Sequence, residues 1–97
     1  MASTTRVRKT FTAVNQTSDA LQSTGHITVG LPLGTGGGTA VLQISEDGVT
    51  FWDYAILGVT QEYTDAGWIN VALNGVHFCR LKCTAYSASF YAYLSAN

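Results

Sequence analysis

The chain has 97 residues, of which 46% are apolar and only 11% charged, with a net charge of −1. That length supports one domain with one core, and the charge content is well below the roughly 25% of ordinary globular domains. A neutral polar surface repels its neighbours weakly, so the composition argues against an isolated monomer and for a subunit covered by copies of itself or by a partner. The charge is also unevenly placed. Arg6, Arg8 and Lys9 fall in the first nine residues, where there is no acid, and the remaining residues carry Arg80, Lys82 and all six acids. Residues 1–9 are therefore read as an extended basic arm, and residues 10–97 as the folded domain. Arg6, Arg8 and Lys9 are the candidate partner-binding residues, aimed at an acidic surface on another chain. With no aromatic among them, they speak against nucleic acid.

Alternation with period two runs through the chain, and no window carries a helical stripe. Val7 to Val14 predicts the first strand. The polar turn NQTSD leads to a short extended piece, Ala20–Gln22, and HITVGL predicts a strand over His26–Leu31, limited by Pro32. Gly34 to Gly38 (GTGGG) is a loop. It lacks the Lys-Ser/Thr and the following helix that phosphate binding needs. Thr39–Ser45 predicts a strand with Ala40, Leu42 and Ile44 on one face. Glu46-Asp47-Gly48 makes a turn, and Val49–Leu57 returns with Trp52, Tyr54 and Ile56 on a common face. After a looser stretch, Trp68–Leu73 is a strand, and Asn74-Gly75 is a hairpin signal leading into Val76–Tyr86. Phe90–Leu94 is the last strand, expected to pair back across Ser87–Ser89.

Seven or eight short strands joined by turns predict an all-β, two-sheet antiparallel sandwich of jelly-roll or Ig-like type. Leu42, Ile44, Trp52, Ile56, Leu81 and Leu94 are its expected core. Cys79 and Cys83 share a strand face about 13 Å apart, too far for a disulfide, and are expected to be buried thiols. His77, Cys79, Cys83 and His26 could be assembled on paper into a zinc site, but ligands strung along a strand diverge instead of converging on one ion. The acids sit mostly at turns, and nothing pairs Asp53 with Glu62, so the chain reads as non-enzymatic with no cofactor. Phe51, Trp52, Tyr54, Trp68, Tyr91 and Tyr93 offer an alternative function, a sugar-binding platform. The opening MASTTRVRKT has no apolar core of a signal sequence, and no apolar run is long enough to span a bilayer. Synthesis in a cytosol is the corresponding expectation, with no membrane partner.

SEDGVTFW, Ser45 to Trp52, resembles the Asp-box hairpin S-x-D-x-G-x-T-W, with the Gly one place early and the Thr-to-Trp spacing one longer. A wider pattern covers most of residues 10–95: TFTAVNQTSDALQS, then AVLQISEDGVTFWDY, then GVHFCRLKCTAYSASFYAYLS. This is similar to small β-sandwich proteins of tailed bacteriophages. The resemblance implies a virion structural protein, of capsid decoration (cement) type, bound to the major capsid protein and acting as a homo-oligomer. A trimer on a local three-fold axis would multiply modest contacts. A fibre or tail accessory module is the other implied home. The resemblance carries no catalytic residue.

Overall fold

In the computed structural model residues 5–23, 25–73 and 77–96 are described. Their alternating pattern is realised as β1 (Thr5–Phe11), β2 (Leu21–Ser23), β3 (His26–Leu31), β4 (Thr39–Ser45), β5 (Trp52–Asp53), β6 (Ala55–Ile56), β7 (Val59–Thr60), β8 (Glu62–Tyr63), β9 (Gly67–Ala72), β10 (His77–Ala85) and β11 (Phe90–Ala96). No helix occurs among the described residues. One sheet has the order β1-β11-β3-β9. The second has the order β2-β10-β4-β5, with β8 also pairing β4, and β6–β7 form a separate two-stranded ribbon. All pairings are antiparallel, and the architecture is the all-β sandwich that the alternation predicts.

Side chains on alternate residues of each strand face the core. β3 contributes Ile27, Val29 and Leu31, β4 Ala40 and Leu42, β10 Cys79, Leu81 and Cys83, and β11 Phe90, Ala92 and Leu94. Leu42 lies opposite Leu81 in one sheet, and Val29 opposite Leu94 in the other. Phe11 closes one end, its ring stacked on that of its ladder partner Phe90 at 5.0 Å between centroids. Each fully buried aliphatic or aromatic side chain of this kind contributes about 1.5–3 kcal/mol.

Four expectations are corrected. Residues 5–9 do not extend away as an arm; they form most of β1, which pairs with β11 from Thr5↔Ala96 to Phe11↔Phe90. The ladder forms because Val7 and Phe11 bury their side chains against the core, while residues 1–4 lie outside the described residues. The expected core is also only half right. Leu42, Leu81 and Leu94 are buried and Ile44 packs at the margin, but Trp52 is 63% and Ile56 48% exposed. Trp52 faces the same side as its partner Ile44, but β5 is a two-residue edge strand. Just beyond it Tyr54 leans back on the core, and its N–H bonds Leu42 O at 2.8 Å. The chain then peels off into the ribbon.

The other two corrections concern pairing. Asn74-Gly75 lie outside the described residues, and the strands flanking them are not hairpin partners: β9 pairs β3, and β10 pairs β2 and β4. β11 likewise does not pair back on β10. With both edges of β10 already taken, the chain crosses to the other sheet and inserts between β1 and β3.

Two turns are held by side chains. Thr35, in the Gly-rich loop, is 1% exposed. Its hydroxyl lies 2.6 Å from Gly38 O and 3.1 Å from Thr64 O, tying two connections together. After β4, Asp47 accepts N–H bonds from Val49 at 2.8 Å and Thr50 at 3.0 Å, and a hydroxyl bond from Ser45 at 2.9 Å. These bonds, those from Thr50 and Val49 foremost, hold its carboxyl below the ordinary carboxylate range. A lowered native pKa means that the contribution is complete above the unfolded pKa and is lost as pH falls through the native one. Asp47→Asn should therefore flatten the acid limb of a stability–pH profile below about pH 4. Chemical denaturation across pH 2–6 checks this, and an unchanged acid limb would refute it.

Candidate interaction surfaces

Alternation that turns Val7 and Phe11 inward turns Arg6 and Arg8 outward, where both are exposed. Lys9 lies on the opposite face of β1, with Val7 and Phe11. The fold therefore places Lys9 on a different face from Arg6 and Arg8. What the fold does join to Arg6 and Arg8 comes from the far end of the chain. β11 lies beside β1 and presents Tyr91 and Tyr93 on the same outer face, and Trp68 of β9 arrives across β3. The Arg6 guanidinium carbon sits 5.2 Å from the Tyr93 ring centre and 5.9 Å from that of Trp68. That of Arg8 sits 4.7 Å from Tyr91 and 5.8 Å from Tyr93. Trp68 and Tyr93 stack at 5.7 Å and 19°, and Tyr91 meets Tyr93 edge-on at 5.8 Å. Gly30, the ladder partner of both Trp68 and Tyr93, makes this possible. A Cβ there would lie 2.2 Å from the indole.

The other aromatic candidates go elsewhere. Phe51 lies under Arg80, whose guanidinium carbon is 4.0 Å from the ring centre. Arg80 Nε donates to Gln43 Oε1 at 2.8 Å, and Gln43 Nε2 donates to Asp53 Oδ1 at 2.9 Å. These three residues are ladder neighbours across β10, β4 and β5, so Arg80 and Asp53 are spent on one sheet-spanning relay.

A second surface is apolar. The ribbon turns at Leu57-Gly58, where φ is 52° and 83°, the left-handed pair of a type I′ turn. Leu57 is 99% exposed, and Ile56 and Val59 flank it, also exposed. Beside the ribbon runs a groove of about 260 Å³ lined by Tyr54, Ile56, Tyr63, Ile69 and Val71 among others. One wall of the groove is β9, an edge strand with no charged residue from Gly67 to Ala72. The opposite edge of the same sheet, β1, carries Arg6, Arg8 and Lys9, charges of the kind that keep sheet edges from pairing.

Cys79 and Cys83 are both free and buried. Burial pushes the Cys79 thiol up to about 11 and raises Cys83 as well, which suppresses the reactive thiolate. Neither should react with a thiol reagent at pH 8 until the protein unfolds; stoichiometric labelling of the native state within minutes would contradict this. Among the described residues no group of three His, Cys, Asp or Glu side chains is placed to hold a metal ion. Two surfaces stand out: a cationic–aromatic face on one sheet, and an uncharged apolar ribbon and edge at its far side. In sequence only the ribbon is contiguous. The cationic–aromatic face draws on residues 6–8, 68 and 91–93, so no local signal could have revealed it. Set against family models, curated proteins and solved structures, the chain matches none of them.

Proposed function

We propose that the protein is a non-enzymatic structural subunit that works by docking, in the manner of a virion protein that decorates and cements a capsid. On this reading it is made in the host cytoplasm, binds the major capsid protein and associates with its own copies, a trimer fitting a local three-fold axis. Membrane and nucleic acid are not among its partners. The observation that carries the reading is the exposed ribbon. A leucine held at positive φ costs of order 1–3 kcal/mol where Asn or Gly would be comfortable, and at 99% exposure it recovers almost nothing by burial in the isolated chain. Such a residue is accounted for if a partner covers it. The low charge content supports the same conclusion, because it leaves little electrostatic repulsion to overcome on assembly.

Leu57→Asn separates this from a purely structural role. The variant should fold with unchanged or higher stability, by up to about 1 kcal/mol from relieved backbone strain. It should nonetheless lose self-association in sedimentation velocity and occupancy on purified capsid shells. If the variant associates and occupies shells like the parent, the ribbon is not the docking element. If the parent itself is monomeric and leaves shells bare, the structural-subunit reading fails.

A further inference from the structure

We infer that the outer face of the four-stranded sheet binds acidic saccharides, with Trp68 and Tyr93 taking the C–H face of a pyranose ring and Arg6 and Arg8 taking its carboxylate. This inference stands apart from the docking reading, which concerns the ribbon. Three observations carry it.

First, neither guanidinium group is paired with an acid among the described residues. Arg6 Nε donates to Ser95 Oγ at 3.0 Å, which anchors one side of the group, and its terminal nitrogens make no hydrogen bond among the described residues. Arg8 rests on Tyr91 and Tyr93 and donates to no protein acceptor among the described residues. Neither has a carboxylate partner there. No Asp or Glu occurs in β1, β11, β3 or β9, although the chain has six acids. A planar fork of this kind matches a carboxylate with two parallel bonds, and a face cleared of competing acids leaves it free to do so.

Second, the rings are placed by regular structure. Arg6, Arg8, Trp68, Tyr91 and Tyr93 all stand on strands, not loops. Gly30 lets Trp68 settle beside Tyr93, and Trp68 remains 53% exposed. An aromatic surface that is half apolar and half wet suits a ligand with both C–H and hydroxyl faces. Third, a neutral polar pair borders the indole: Thr28 Oγ1 donates to Asn70 Oδ1 at 2.9 Å, which orients the Asn70 amide N–H groups away from that bond. Asn70 stands two residues along β9 from Trp68, on the same face, where its amide would meet a hydroxyl of a sugar stacked on the indole.

Charge argues against a nucleic acid here. A phosphate polymer draws its affinity from many cations, and this sheet face offers two on a chain of net charge −1. A single carboxylate per sugar needs no more than two.

The test titrates the full chain with a tetragalacturonate, its methyl ester and an oligothymidylate, followed by Trp fluorescence and calorimetry. Tetragalacturonate should bind the parent with a dissociation constant below about 1 mM. Arg8→Gln should weaken it by about tenfold or more, the loss of one charge-assisted pair, and Trp68→Ala should abolish it. Trp52→Ala, on the other sheet, should leave binding unchanged. Circular dichroism confirms that each variant is folded; if Trp68→Ala is not, Trp68→Tyr takes its place and should bind more weakly than the parent. Absence of binding at that concentration would overturn the inference. So would equal affinity for the methyl ester, tighter binding of the oligothymidylate, or loss of binding in Trp52→Ala with Trp68→Ala unaffected.

Discussion

Leu42→Ala should lower the stability of the domain by about 2–5 kcal/mol, whereas Ile56→Ala should change it by less than about 0.5 kcal/mol. The two positions are equivalent by sequence pattern, both apolar and both in register with other apolar residues. They differ in what covers them. Leu42 is fully buried at the middle of β4, facing Leu81 across the ladder, and its neighbours are held by strands on both sides. Truncation leaves a cavity that β-strands cannot close by shifting, so the cost includes lost contacts as well as lost transfer energy. Ile56 is 48% exposed on a ribbon that pairs only with itself. For a domain of this length the whole margin is about 5–15 kcal/mol, so Leu42→Ala removes a large share of it. Urea denaturation midpoints, with the slope checked for constancy, measure both. A Leu42→Ala cost below about 1 kcal/mol would mean that the core is not packed as described.

Gly38→Ala should cost about 3 kcal/mol. The reason is a close approach of backbone to backbone. A Cβ at Gly38 would lie 2.4 Å from Ala85 O, 3.3 Å from its carbonyl carbon and 3.4 Å from Thr35 O. No side chain can swing aside to relieve that contact. The site is also where the β10–β4 register slips between Cys83 and Ala85, and where the Thr35 hydroxyl meets Gly38 O. Making room would disturb the register irregularity and the tie to the β8–β9 connection together. Gly25→Ala is the control, since nothing lies within 4 Å of a Cβ there. It should be neutral or stabilising by up to about 1 kcal/mol, because alanine restricts the unfolded chain. Thermal unfolding midpoints compare the two, and a Gly38→Ala protein as stable as Gly25→Ala would refute the contact.

Much of the sandwich is written locally. The strands His26–Leu31 and Thr39–Ser45 have the same limits in sequence pattern and in structure, because alternation and its interruption by Pro32 or by Glu46-Asp47-Gly48 are properties of a few adjacent residues. The inward cysteines of β10 follow from the same alternation. Burial itself is less local. Trp52 shares a face with Ile44 but stands at a sheet edge, and sharing a face does not mean being covered. Strand partners are less local still. Asn74-Gly75 and Ser87–Ser89 look like hairpin links, yet β9 and β11 both leave for the other sheet because β10 is already paired on both sides.

The basic start of the chain shows the limit most clearly. Read alone, Arg6, Arg8 and Lys9 have no neighbours and look like an arm. Their ladder partners, Ser95, Tyr93 and Ala92, lie more than 80 residues away, and the energy that draws them together comes from burying Val7 and Phe11 on the far side of the strand. Alternation decides which way each arginine points. Only the sheet order β1-β11-β3-β9 decides that tyrosines and a tryptophan stand beside it, because that order depends on long-range pairing, which leaves no mark in any short window of sequence.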